Sequence, residues 1–150
     1  MSSDFAKKLI IKHEAVRAKC YDDGDGLPVV PGKTMVGHPT IGVGRALDTK
    51  GLSPAEISEL LENDFIDAEV ILVDVFGLSI MQESENRVAA LVSMAHNLGR
   101  GGFGKFVKMV DAIKSRDWRR AADEAKNSKW YSQVGERGKE IVRLLEEGSV

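Results

Sequence analysis

Glu14, Asp23 and Thr40 fall in order within the first third of this 150-residue chain, and their types and spacing suggest chemistry. Glu14 closes a segment with helical apolar patterning, Asp23 sits in the acidic turn that follows, and Thr40 opens the short run Thr40-Ile41-Gly42-Val43-Gly44. Two carboxyls held apart across one cleft are what cleavage of a glycosidic bond requires. One protonates the leaving oxygen, and the other acts as the base. An acid at a helix C-terminus opposes the helix dipole, and partial burial there would help Glu14 keep its proton. The alternative for Glu14 is a surface side chain paired with Lys12 or Arg17.

The elements that position these residues follow from pattern and punctuation. Phe5, Leu9, Ile10 and Val16 lie near a helical period over residues 4–18, with Ser2 or Ser3 as N-cap. Residues 24–39 carry four Gly and three Pro without helical periodicity, so they form a loop or an irregular hairpin. Thr40–Val43 reads as a short strand of a small antiparallel sheet. Ser53-Pro54-Ala55-Glu56 is a capping box, and it starts a helix whose apolar face is Ile57, Leu60, Leu61, Phe65, Ala68 and Leu72. From residue 84 the pattern is helical throughout. Val88, Leu91, Val92, Ala95 and Leu98 form a stripe ended by Gly99, and Phe106, Val107, Val110 and Ile113 form the next. Asp117 caps a helix carrying Trp118, Ala121, Ala122 and Ala125. A last helix presents Ile141, Val142, Leu144 and Leu145 and stops at Gly148. The expected class is α+β and mostly helical. A mixed N-terminal lobe (about 12–52) connects through a linking helix (about 53–74) to a helical lobe (about 80–148) on which the N-terminal helix packs, with one cleft between the lobes.

Composition narrows the function further. With 43% hydrophobic and 29% charged residues, the chain has the make-up of an ordinary globular protein, and no apolar run is long enough to span a membrane. No signal-peptide pattern opens it, so accumulation in the cytoplasm is expected. Cys20 is the only cysteine and reads as a small buried hydrophobe. The net charge of −2 conceals an asymmetry of −9 over residues 48–86 against +6 over residues 100–145. The basic part reads as solvated helix faces or as a surface for an anionic polymer. A nucleic-acid surface built on Lys105, Lys108, Lys114, Arg116, Arg119 and Arg120 is disfavoured by the interleaved Asp111, Asp117 and Asp123.

Other motifs weaken on inspection. His13-Glu14 lacks the second histidine of a zinc helix, since Arg17 stands there. Gly42-Val43-Gly44 lacks the third glycine of a dinucleotide loop, where Leu47 sits. Asp22, Asp23 and Asp25 begin like a calcium loop, but Lys33 occupies the twelfth position where a Glu is needed. Trp130-Tyr131 reads as an anchor of the helical lobe, with a sugar-stacking platform as the alternative.

Taken in order, the pieces resemble the phage-type lysozyme (endolysin, muramidase) family. The carrying residues are Ile11–Arg17, Tyr21-Asp22-Asp23, Thr40–Leu47, Gly51-Leu52-Ser53, Met94–Gly99, Phe106 and Ser128–Arg137. The resemblance implies a lysozyme-like fold and a cofactor-free muramidase. It would cleave the β-1,4 bond between N-acetylmuramic acid and N-acetylglucosamine of bacterial peptidoglycan, by an inverting course, in phage-mediated host lysis. Glu14 falls on the family's general acid, Asp23 on the second carboxylate and Thr40 on the water-holding hydroxyl. Arg137 falls on an arginine near the general acid and Asn97 on an amide of the cleft, so both, with Arg45, are candidate substrate-binding residues. The chain departs from the family at Ala15, usually glycine, at Arg45, often histidine and here expected to keep a positive partner near Glu14, and at His96, commonly aromatic. The loop after Asp23 is longer by roughly ten residues, which leaves Asp22 and Asp25 as competitors for its role. A monomer is expected, with no nucleic acid, metal or membrane insertion. The competing class is an inactive wall-binding module on the same scaffold.

Overall fold

The computed structural model describes Ser2–Glu14 and residues 16–148, so the substitution at Ala15 lies outside the described residues. Two compact units divide between Ile57 and Ser58. The first holds α1 (Ser2–Glu14) and a three-stranded antiparallel sheet, β1 (Arg17–Asp22), β2 (Pro39–Gly42) and β3 (Arg45–Ala46), in the order β1-β2-β3. Within it, α1 already contains Ser2 and Ser3, so neither stands ahead of the helix as the expected cap. The helix also ends at Glu14 rather than continuing to residue 18. Val16 and Arg17 leave it, and residues 17–22 form a strand that the weak alternation of Arg17-Ala18-Lys19-Cys20 did not announce.

Register fixes what faces what: Arg17 pairs with Gly42, Tyr21 with Thr40 and Asp22 with Pro39, while Thr40 pairs with Ala46. The long loop between β1 and β2 is an irregular hairpin, with Tyr21 bridging Pro28 and the Val29 N–H donating to the Cys20 carbonyl at 3.1 Å. Arg17 lies over the Tyr21 ring and donates to the Gly26 carbonyl at 2.8 Å, holding this turn against the strand.

The capping box at the head of α2 (Pro54–Phe76) forms as the pattern predicts. The Ser53 N–H donates to Glu56 at 2.8 Å, and the Glu56 N–H donates to the Ser53 hydroxyl at 3.3 Å. The apolar face of α2 is shorter than expected. Ala68, Ile71 and Leu72 are buried, whereas Ile57, Leu60, Leu61 and Phe65 are exposed, because the helical unit's core reaches α2 only from Ala68 onward.

That unit continues through a 3-10 turn (Leu78–Gln82), α3 (Glu85–Phe103), α4 (Val107–Lys114), α5 (Trp118–Lys126), α6 (Lys129–Val134) and α7 (Glu136–Glu147). Leu72, Leu91, Met94, Phe103, Met109, Ile113 and Leu145 form its centre. The α3 stripe breaks at Gly99, whose φ of 64° interrupts the helix before a final turn to Phe103. In α4 the buried residues are Met109, Ala112 and Ile113, and Val107, expected inside, is 69% exposed. Trp118, Ala121, Ala122 and Ala125 are all buried, and Asp117 caps α5 by accepting from the Arg120 N–H at 3.0 Å. Gly148 ends α7 in the left-handed conformation. The class is therefore α+β and mostly helical, as the sequence indicates.

Candidate active site

Glu14, Asp23 and Thr40 all belong to the first unit. Glu14 is the last residue of α1 and is exposed, so the partial burial expected to hold its proton is absent. Its carboxyl lies against the backbone of Gly44. A Cβ built on Gly44 would stand 2.5 Å from Glu14 Oε2, and Gly44 itself has a φ of 66°. Close approach and left-handed backbone together require glycine there. Gly44→Ala is therefore expected to push the Glu14 carboxyl aside and strain the β2–β3 turn. Activity should fall several-fold with little loss of secondary structure, checked by rate assay and circular dichroism.

None of the expected partners Lys12, Arg17 and Arg45 pairs with Glu14. Among the described residues it forms no ion pair. Arg17 is taken up at Tyr21 and Gly26, and Arg45 binds Glu56 through both guanidinium arms while also donating to the Gly51 carbonyl at 3.0 Å. Arg45 thus ties the β2–β3 turn to the first turn of α2, where Glu56 also serves the capping box. The reading of Arg45 as a positive partner near Glu14 gives way to this fork, because a bidentate carboxylate satisfies the planar guanidinium better than a single contact. The Ser53 N–H, followed by the Ser53 side chain and then Arg45, holds the Glu56 carboxyl below its usual range.

The three loop carboxylates have different surroundings. Asp22 is fully buried, and its Oδ1 accepts the N–H groups of Gly24 (2.9 Å) and Gly37 (2.7 Å). Its Oδ2 accepts the Val36 N–H at 2.7 Å and lies 3.5 Å from Lys33 Nζ. Asp25 accepts from Lys33 Nζ at 2.5 Å and from the Leu27 N–H at 2.9 Å. The Lys33 ammonium, at the position that spoiled the calcium pattern, supplies the loop's cation. Among the described residues no group of three His, Cys, Asp or Glu is placed to hold a metal ion. Asp23 is exposed and, among the described residues, accepts only the His38 N–H, at 2.6 Å to Oδ1. His38 also links Asp23 to the hydroxyl, because the buried Thr40 donates from Oγ1 to the His38 carbonyl at 3.1 Å. The His38 ring reaches Asp48 at 2.8 Å; that pairing raises the imidazole pKa and lowers the Asp48 carboxyl.

The bond from Val36, followed by those from Gly24 and Gly37, outweighs the cost of burial and lowers the Asp22 pKa from 3.8 to about 2. A carboxyl depressed by folding stabilises the fold fully above its unfolded pKa, and that stability is lost as pH falls through the folded value. The sheet unit should therefore weaken between about pH 4 and pH 2. The amide signals of residues 22–38 in an acid titration report this, and constant dispersion down to pH 2 would contradict it.

Sequence reasoning missed His38, Asp48 and Gly37. The pairing of Asp22 with Pro39 places His38 opposite Asp23, so the β1–β2 register would have located it once β1 was recognised.

Asn97 and Arg137 lie in the second unit. The Asn97 side-chain oxygen accepts from the Trp130 indole at 2.8 Å, and Trp130 is buried edge-on to Phe106, so it anchors the lobe. Arg137 and His96 line one hollow of about 330 Å³ with Leu61, Phe65, Ala89 and Val92.

Comparison with known proteins decides the family. The model for phage lysozymes matches residues 11–146, nearly the whole chain. The chain belongs to the phage lysozyme family. It is 27% identical over 142 residues to the peptidoglycan hydrolase gp36 of Pseudomonas phage phiKMV, covering 93% of this chain but only 15% of that protein's length. It is also 27% identical to the probable T4-type lysozyme 2 of Dictyostelium discoideum, covering 87% of this chain and 92% of the relative. Against the pre-baseplate central spike protein Gp5 of Enterobacteria phage T4, identity is 24% over 95% of this chain and 28% of the relative. This family member therefore corresponds to a small part of two of these phage proteins and to nearly all of the Dictyostelium one.

Proposed function

We propose that this chain is a peptidoglycan-degrading lysozyme that hydrolyses the β-1,4 bond between N-acetylmuramic acid and N-acetylglucosamine with inversion. Family membership and the naming of the phiKMV relative as a peptidoglycan hydrolase support the substrate class. Glu14 donates the proton to the leaving oxygen. Asp23 and Thr40 hold the attacking water between them and the sugar. The Thr40 hydroxyl has one proton and commits it to the His38 carbonyl, so toward water it is an acceptor. A water that donates to Asp23 and to Thr40 has both protons engaged, and its lone pair is left for the anomeric carbon.

The observation that carries this reading is the inequality of the three loop carboxylates. Asp22 is closed off by backbone N–H groups and Asp25 is neutralised by Lys33, whereas Asp23 is exposed with Oδ2 unengaged among the described residues. Arg137 is a substrate-binding residue, and the basic stretch over residues 100–145 faces an anionic wall. The setting that fits this activity is host lysis, with the enzyme reaching the wall from the host cytoplasm.

The test is incubation with purified peptidoglycan, followed by assay of new reducing ends and of protein that sediments with the wall. Release of reducing ends supports the reading. Sedimentation without new reducing ends would make the chain a wall-binding module instead.

A further inference from the structure

We infer that Asp22 is a positioning residue for the reaction: its carboxylate fastens the end of the long loop to β1 and so sets where His38 holds Asp23. The inference rests on the assignment of Asp23 as the second carboxylate.

The loop from Gly24 to Gly37 is long, and its return to the sheet is governed by one buried side chain. Asp22 takes the N–H groups of Val36 and Gly37, the two residues immediately before His38. The next peptide presents the His38 N–H to Asp23, and the carbonyl of the same residue takes the Thr40 proton. Both water-holding groups are therefore tied to a backbone segment whose upstream anchor is Asp22. Packing leaves that segment little room. A Cβ on Gly37 would stand 2.1 Å from Asp23 Oδ1 and 2.5 Å from the Gly24 nitrogen, and one on Gly24 would stand 2.7 Å from the Gly37 nitrogen. The two glycines let the ends of the loop touch, and Asp22 bonds to both.

Only an ionised carboxylate fits this site. Oδ1 faces two N–H groups, while Oδ2 faces a third and the Lys33 ammonium. Asparagine has one acceptor and one donor there. In either orientation its NH₂ would oppose a backbone N–H, with almost no change in side-chain volume. A residue that never touches substrate can still govern rate, because displacing a catalytic group by about 1 Å can lower turnover about a hundredfold.

The test compares Asp22→Asn, Asp23→Asn and the double variant on purified peptidoglycan, at a temperature well below each unfolding midpoint. Asp22→Asn is expected to lower kcat by about ten- to a hundredfold with KM within about twofold. In the Asp23→Asn background it should change kcat by less than about twofold, because residues acting through one another are not additive. A merely structural Asp22 would lower the unfolding midpoint while leaving kcat of the folded fraction at the parental value, which overturns the inference. An equal kcat loss in both backgrounds overturns it too. Parental kcat in Asp23→Asn would instead remove the assignment beneath it.

If Asp22→Asn does not fold, Val36→Pro replaces it in the same cycle. That change deletes one N–H donated to Asp22 and leaves every carboxylate in place. It should lower kcat several-fold in the parent and not in the Asp23→Asn background. Parental kcat in folded Val36→Pro overturns the inference.

Discussion

Glu14→Gln is expected to lower the initial rate of peptidoglycan hydrolysis by about a thousandfold while leaving the fold and its unfolding midpoint unchanged. The amide has the shape of the carboxyl and can keep the same seat against Gly44, but it has no proton to deliver to the leaving oxygen. Glu14 is exposed, and among the described residues it forms no ion pair. Its replacement therefore removes no stabilising contact beyond the surface range of about 0.5 kcal/mol. Loss of rate without loss of stability separates a general acid from a surface glutamate. A variant retaining half or more of the parental rate would remove Glu14 from the reaction.

Asp23→Asn carries the second large effect, with kcat expected to fall by about a hundredfold or more and KM to change little. The direction of the amide is set by its neighbour. Because His38 donates its N–H to Asp23, the asparagine oxygen will turn toward His38 and its NH₂ outward. The outward group then donates where the attacking water needs an acceptor. The water keeps Thr40 and loses its base. Circular dichroism and the unfolding midpoint should stay near parental values, since the bond to His38 survives. If the kcat of Asp23→Asn were parental, the base would have to be sought outside the loop carboxylates, because Asp22 and Asp25 already have both oxygens engaged.

The elements most legible in the sequence were those with local, redundant signals. The capping box at Ser53 and Glu56, the Asp117 cap with its alanine face, and the Gly148 stop each depend on a few neighbouring residues, and each formed as read. Strand β1 was not legible. Its residues alternate poorly, and it is held by register with β2 and by the bridge to Pro28, which are long-range facts. Charge partners were hidden for the same reason. Arg45 was expected beside Glu14, but its fork with Glu56 depends on how the β2–β3 turn meets the head of α2. Val107 and the first apolar residues of α2 show that periodicity identifies an apolar face but not how much of it a core covers. The loop carboxylates show the reverse case. The sequence displayed three aspartates and a misplaced lysine, and folding made them unequal by giving one backbone amides, one the ammonium and one to solvent.

The most direct test is digestion of purified peptidoglycan in ¹⁸O-water, followed by mass spectrometry of the soluble fragments. Hydrolysis by a water held at Asp23 and Thr40 predicts fragments ending in reducing N-acetylmuramic acid that carries one ¹⁸O. Fragments ending in anhydro-muramic acid, lighter by one water and unlabelled, or fragments ending in reducing N-acetylglucosamine, would contradict it.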